Sequence, residues 1–369
     1  MKIMFITDTP LAYNSGIWWH RNQIPSEALG KRGHAVKQIS MAMSFTEEQM
    51  DWPDVVVFGR AYAQQHDPIK VMREYKKRGK RVLYDMDDDF WAVEKHNPSV
   101  LVSNALKDQY EGMIKEADAV ITPSRILEKK FKKHFKKPVF ICPNGTNEEY
   151  VERPHRDDGI LKVGYMGAAS HWKDLQIIGA VVSELQEKYD FLFTIYGLTG
   201  EPLEAAFYSY RRLLQNNLFP EKNEYYKGAL AFEAQLARAK MYHVPFMPPE
   251  LHPKTLSQVD LDIGLAPLED NEFNAGKSCV KFYEYASVGT VTLASDVLPY
   301  SDEVNYCAKN THKDWYNKLE KLIVDEKFRK EILAKQQKWV KENRTSEVIG
   351  LPWELALQRP GGLKVANQQ

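Results

Sequence analysis

Cysteine is scarce: three residues, Cys142, Cys279 and Cys307, stand among 369. They are far apart and odd in number, so neither a disulfide framework nor a zinc cluster follows, and a reducing cytosol is the expected setting. A surplus of one charge is missing too. Lys plus Arg and Asp plus Glu each total 50, for a formal net charge of zero. Bulk charge therefore gives no ground for a polyanionic partner, although a local basic patch would not show in the total. No apolar run approaches the ~20 residues that cross a bilayer. No long basic amphipathic helix suggests a strong membrane anchor. The opening MKIMFITDTP carries one lysine and a short apolar run broken by Asp8, which reads as a first strand and not as a secretory signal. Asn144 and Asn343 match the glycosylation acceptor pattern, which in a cytoplasmic chain is taken as chance. There is no short-period repeat and no low-complexity tract.

What is present is alternation. Hydrophobic residues make up 43% of the chain, enough for sizeable cores, and the length suits two domains. Strand-like segments at 2–7, 35–39, 55–58, 81–84, 119–122 and 139–142 interleave with helix-like segments at 17–32, 68–77, 101–116 and 125–134. Gly33 and Gly79 are helix stop signals. After Pro143-Asn144-Gly145, residues 148–159 are charged and aperiodic, as in a linker. The pattern then restarts, with strands at 161–165 and 191–196 around a helix at 175–188. Helices are also expected at 204–215, 232–240, 315–324 and 327–342. Strands alternating with helices imply parallel, doubly wound sheets. The expected fold class is α/β, with two Rossmann-like domains at 1–150 and 159–342 facing a cleft, a closing segment at 343–369 and a frayed tail.

The most informative stretch is LDIGLAPLEDNEFNAGKSCVKFYEYASVGTVTLASD, residues 261–296. Apolar strand, polar loop, helix and second strand make a βαβ unit, which binds ligands at the carboxyl end of its first strand. Gly276, Lys277 and Ser278 fall just before the helix. They lack the spaced glycines of a P-loop, so this is no Walker motif. The choice lies between an exposed lysine at a helix start and a phosphate contact through Lys277, Ser278 and loop amides. Glu284 sits among Phe282, Tyr283, Tyr285 and Ala286. A carboxylate in such surroundings needs partners, which two ribose hydroxyls would supply.

Three other places share this logic. In VGYMGAASHWKDL, Gly164 and Gly167 end a strand, and His171 and Lys173 open a helix. This is either plain punctuation or a second phosphate contact. Asn14-Ser15-Gly16 stands at the same kind of turn after the first strand, with His20 and Arg21 following. Asp85, Asp87, Asp88 and Asp89 put four carboxylates within five residues, which repel unless cations or protons sit nearby. They read as an exposed acidic loop, a metal site of Asp-x-Asp type, or ligands for acceptor or sugar hydroxyls.

These segments resemble the retaining nucleotide-sugar glycosyltransferases of the GT-B fold, the large group called family 4. The resemblance runs from the Gly16 turn to about Glu342, through SGIWWHR, ALGKRGHAV, PNG and the 260–296 segment. It implies a nucleoside-diphosphate sugar as co-substrate held mainly by the carboxyl domain, an acceptor on the amino domain, and a late helix returning to the amino domain near 352–357. Together with the residue readings above, it gives expected donor contacts at Gly16, His171, Lys173, Gly276, Lys277, Ser278 and Glu284, catalytic roles for Asp87, Asp88 and Lys277, and no metal or resident cofactor. Two departures stand out. The first of the family's paired glutamates would fall at Gly276, and Asp270, Glu272 and Asn274 are the alternatives for its role. An arginine expected near the second domain's first glycines is replaced by Ala168 and Ala169.

The acceptor could be a saccharide, a lipid-linked saccharide, a small molecule or a hydroxylated DNA base. The aromatic and basic residues Tyr208, Tyr210, Arg211, Arg212, Tyr225, Tyr226 and Lys227 suit stacking on bases or sugars, or simply a helical core with a solvated face. Two competing functions are a nucleotide-sugar-binding protein without turnover, suggested by Gly276, and a magnesium-dependent phosphatase built on Asp85 and Asp87.

Overall fold

A computed structural model describes residues 1–7, 15–42, 44–60, 66–94, 97, 99–153, 158–167, 171–197, 240–245 and 247–358. Asn14, Ala168, Ala169, most of the 197–249 stretch with its aromatic and basic residues, and the tail lie outside the described residues.

The chain divides into two compact units. The first holds Met1–Asp89, Ala105–Asn147 and the residues from Asn343 onward; the second holds Phe90–Asn104 and Glu148–Glu342. The first unit contains β1 (Lys2–Thr7), β2 (Ala35–Ser40), β3 (Val55–Phe58), β4 (Arg81–Asp85), β5 (Ala119–Thr122) and β6 (Val139–Ile141), in the order β2-β1-β3-β4-β5-β6. The second contains β7 (Leu161–Met166), β8 (Phe191–Tyr196), β9 (Met241–Val244), β10 (Ile263–Ala266), β11 (Val291–Ser295) and β12 (Cys307–Ala308), in the order β12-β11-β10-β7-β8-β9. The pairings are parallel. Strands such as VVVF in β3 are buried throughout, as a sheet covered on both faces requires. Strand order reverses direction between β1 and β3 in one unit and between β7 and β10 in the other. Those reversals open the crevices where doubly wound sheets bind ligands.

The first helix is not regular. After Gly16–Trp18 it widens into a π turn at Trp19–Gln23 and resumes at Ile24–Lys31. Ile24 donates back to the Trp19 carbonyl, and Pro25, having no N–H, cannot extend the ordinary ladder. The helix Ser346–Leu357 belongs to the first unit. Its Trp353 is buried 5.8 Å from the Phe5 ring, and its Ala356 carbonyl accepts from Arg81 at 3.0 Å. β9 and β12 have no counterpart in the sequence reading. β12 is two residues long, and β9 carries His243 where a strand pattern would show an apolar residue.

At the second reversal, Gly164 of β7 and Gly264 of β10 stand in register. A side chain at Gly264 would meet the Tyr285 ring at 2.6 Å, and one at Gly164 would meet Leu261 at 2.6 Å. The Tyr285 hydroxyl accepts from the Met166 amide at 2.7 Å and lies 3.5 Å from the Leu265 carbonyl, to which it donates. One aromatic residue thus ties the helix Val280–Ser287 to both strands. Gly264→Ala is expected to cost about 1–3 kcal/mol by overpacking, read as a lower urea midpoint with an unchanged slope. An unchanged midpoint would mean that the ring moves aside freely.

Candidate functional site

In the second unit, the loops leaving β7 and β10 bring five polar side chains together. His171 precedes the helix Trp172–Lys188, and its Nδ1 lies 2.6 Å from Asp174 Oδ2. The other Asp174 oxygen accepts the Glu269 amide at 2.7 Å, so one buried carboxylate joins both loops. From the β10 side come Lys277, with Nζ 4.8 Å from the Phe273 ring centroid, and Lys281, with Nζ 5.6 Å from the Tyr165 ring centroid. Gly167 lies over Tyr165: a Cβ there would sit 2.3 Å from the Tyr165 hydroxyl and 3.1 Å from Lys281 Cε. That hydroxyl is buried and, among the described residues, has no hydrogen-bond partner.

The electrostatics are lopsided toward positive charge. Burial, then Lys277, draws the Lys281 ammonium down to about 8 against the pull of Asp174 and Glu284. Burial, then Lys281 and Lys277, pushes His171 down to about 3 despite its bond to Asp174. Burial works to raise Asp174, but His171, the Glu269 amide and Lys277 hold it below its ordinary value. His171 is therefore neutral near pH 7. With Nδ1–H donated to Asp174, its Nε2 is an acceptor.

Glu284 lies one turn into the helix Val280–Ser287 and is buried. Its Oε1 accepts from the Tyr150 hydroxyl at 2.5 Å and from His252 Nε2 at 3.0 Å. His252 Nδ1 in turn lies 2.7 Å from the Tyr196 hydroxyl, with the two rings stacked 5.3 Å apart.

Not every expected group converges here. Lys173 pairs with Glu269 at 3.0 Å and stands partly exposed. The amides of Gly276 and Lys277, expected to serve a ligand, instead donate to Phe273 and Asn274. The short helix Glu272–Ala275 consumes them, and the next helix begins only at Val280, beyond Ser278. Asp270 and Glu272 are exposed. Asn274 is buried and gives its amide to the Glu269 carbonyl at 3.0 Å. Lys281, Asp174, Tyr150, Tyr196 and His252 were not anticipated. Lys281 had a signal, standing three residues before Glu284 on the same helix face. The others are separated in sequence by far more than any local period.

In the first unit, Gly16 opens its helix with Ser15 capping the Trp18 amide at 3.1 Å. Ser15, Trp18, Arg21, Asn22, Gly59, Arg60, Asp85 and Asp87 are among the residues around a cavity of about 30 Å³ at the β1–β3 reversal. The acidic run is neutralised from within. Arg21 grips Asp85 with two hydrogen bonds, at 2.5 and 2.9 Å. Arg60 Nη2 reaches both Asp87 and Asp88 at 2.9 Å, and Lys130 holds Asp89 at 2.5 Å. Arg21 also donates to the Cys142 carbonyl and to buried Asn144. The exposed-loop reading of these aspartates therefore fails: each carboxylate has a cation built into the fold.

No family model matches this sequence, and no curated protein matches it. Solved structures do match. A glycosyltransferase from Rickettsia africae ESF-5 is 12% identical, with 96% of this chain covering 97% of that one at a TM-score of 0.62. An alpha-glucosyltransferase in complex with UDP and a 13-mer DNA containing an HMU base is 13% identical, with 97% covering 99% at 0.64. Anabaena HepE in complex with UDP and glucose is 12% identical, with 97% covering 99% at 0.62. The chain has the GT-B fold. Within that fold, His171, Asp174, Lys277 and Lys281 occupy the sheet reversal of the carboxyl-terminal unit, and Asp85 and Asp87 that of the amino-terminal unit.

The His171 environment has a consequence for stability. The unfolded chain takes up a proton below 6.5, the folded one only near 3. More protons on the unfolded state mean that stability falls on acidification through that window. Between pH 7 and pH 5 the urea midpoint should drop, and His171→Asn should show a smaller drop. Equal drops would place His171 in a solvated setting.

Proposed function

We propose that this protein is a glycosyltransferase that moves a sugar from a nucleoside-diphosphate sugar to an acceptor hydroxyl. The observation that carries the reading is the pair Lys277 and Lys281 at the β7–β10 reversal, with Lys281 half-buried and drawn down to about 8. Lys281 lies over Tyr165 and the Lys277 charge works against it, and two such ammonium groups are costly to keep together unless an anion joins them. A diphosphate satisfies both. UDP in the alpha-glucosyltransferase and HepE structures supports reading that anion as a nucleoside diphosphate.

The chemistry then follows from charge. As the glycosidic bond to the diphosphate breaks, negative charge develops on the departing oxygens. Lys277, Lys281 and the Tyr165 hydroxyl meet it from fixed positions. Lysines can fill this role without a metal, and we propose that the reaction is metal-independent. Glu284 accepts the ribose hydroxyls. In the amino-terminal unit, Asp87, steadied by Arg60 beside the small cavity, orients the acceptor or takes its proton, with Asp88 alongside. The anomeric configuration is retained in this proposal. The cytoplasm is its proposed location.

Gly276 motivates the competing reading, a donor-binding protein without turnover, because no side chain stands where the family's first glutamate would. For the acceptor, the likeness to the alpha-glucosyltransferase with HMU-containing DNA favours one specific second reading, a hydroxylated base in DNA. Steeply salt-dependent retention on duplex DNA would support it.

A thermal-shift panel tests the binding half. A nucleoside diphosphate at a hundred times its Kd should add about 2.7 kcal/mol of stability. Lys277→Ala and Lys281→Met should weaken diphosphates far more than nucleosides, and Glu284→Ala should weaken both. Affinity should fall as pH rises from 7 to 9, because Lys281 loses its proton near 8, and Lys281→Met should flatten that slope. If neither nucleoside diphosphates nor their sugars shift the transition, the reading is wrong. Transfer or donor hydrolysis with labelled nucleotide sugars separates an enzyme from a binding protein. Product anomer and indifference to chelators test the remaining details.

A further inference from the structure

We infer that His252 and Tyr196 are positioning residues that set Glu284 as a reader of the ribose, so that the site distinguishes ribonucleotides from 2′-deoxyribonucleotides. The inference rests on the nucleotide reading above and adds to it the residues that aim the carboxylate.

Glu284 is 3% exposed, so its charge must be met inside the protein. Two donors meet it at one oxygen, Oε1: the Tyr150 hydroxyl at 2.5 Å and His252 Nε2 at 3.0 Å. An ionised carboxylate only accepts, so His252 must carry its proton on Nε2. When the ring carries a single proton, Nδ1 is then the acceptor. The Tyr196 hydroxyl, 2.7 Å away, is placed to donate to it. Burial, then the charge of Glu284, raises the Tyr196 pKa, which keeps that hydroxyl a donor. The contacts from Tyr196 to His252 to Glu284 hold the imidazole by both of its nitrogens. Stacking at 19° between the Tyr196 and His252 rings fixes the imidazole plane as well.

With two donors concentrated on Oε1, the carboxylate plane and its second oxygen are held in one orientation. A carboxylate so held suits hydroxyls at fixed spacing, as on the two adjacent carbons of a ribose. The three elements involved are β8 through Tyr196, the helix His252–Val259 through its first residue, and the helix Val280–Ser287 through Glu284. Their convergence also links this reader to the diphosphate lysines, since Lys281 stands on the same helix as Glu284.

The test measures UDP, GDP and ADP, their 2′-deoxy counterparts and inorganic pyrophosphate against the full-length protein and the variants Tyr196→Phe, His252→Ala and His252→Gln. The parent should bind its preferred ribonucleotide at least about tenfold more tightly than the deoxy form, the scale of one hydrogen bond to a charged group. Tyr196→Phe and His252→Ala should shrink that ratio to about threefold or less while leaving pyrophosphate affinity unchanged. His252→Gln, whose amide can still donate to Glu284, should restore part of the ratio. Nucleotide binding with no preference for ribose in the parent overturns the inference alone. So does an unmoved ratio in the variants, or an equal loss of pyrophosphate affinity. A parent that binds neither nucleotides nor pyrophosphate overturns the functional reading itself, and this inference with it. Should His252→Ala fail to fold, Tyr196→Phe, which removes one oxygen, decides the matter.

Discussion

Tyr285 lying on Gly264 is the contact on which the second unit's chemistry depends. Its ring fills the space that a Cβ on β10 would take, and its hydroxyl engages β7 and β10. The helix Val280–Ser287 is thereby pinned over the reversal of the sheet. That helix carries Lys281 and Glu284, one turn apart. Phe282 and Ala286 of the same helix pack into a core with Leu268 and Tyr300, so apolar burial supplies the force and Tyr285 supplies the register. A functional site placed on such a rigid element costs little reorganisation when charge develops.

The two sheet reversals handle charge in opposite ways. In the amino-terminal unit, four aspartates within five residues are balanced by Arg21, Arg60 and Lys130 through close ion pairs. Arg21 is itself buried against Trp353, with the guanidinium 4.8 Å from the ring. Breaking such a pair by removing one member would leave a buried charge without compensation. This cluster therefore serves the architecture first; Asp87 and Asp88 are its partly exposed members, and of the two only Asp87 lines the cavity. In the carboxyl-terminal unit, Lys277 and Lys281 share the buried neighbourhood of Asp174. Among the described residues neither lysine has a carboxylate within ion-pair distance. The cost shows as the lowered pKa of Lys281 and as a histidine held neutral. Stored electrostatic cost at a crevice is the usual mark of a ligand site.

Much of this was legible in one dimension. The strands 55–58, 119–122 and 191–196 are apolar runs of strand length, and the structure has them with the same bounds. Gly33 and Gly79 both have positive φ, as helix stops should. Glu284 was legible because a carboxylate amid Phe282, Tyr283 and Tyr285 contradicts its surroundings unless partnered. Other features were not. The helix Glu272–Ala275 is too short to show a period, yet it consumes the amides that a phosphate would have used. Lys173 has the right type and place for a phosphate contact, and an acidic neighbour, Glu269, claims it.

The sequence alone determined the alternation of strand and helix, hence two parallel sheets and the two turns at which ligands can bind, because apolar periodicity is a local property of the chain. It also determined which residue types stand at those turns. The tertiary structure decided which of them meet. His252 is brought to Glu284 from 32 positions away, and Asp174 to the Glu269 amide from 95 positions away. No local period encodes such meetings, since they depend on the order in which strands pair and on where helices cross them. The shifts of Lys281 and His171 have the same origin: they come from burial and from neighbours distant in sequence, and exist only once the fold has formed.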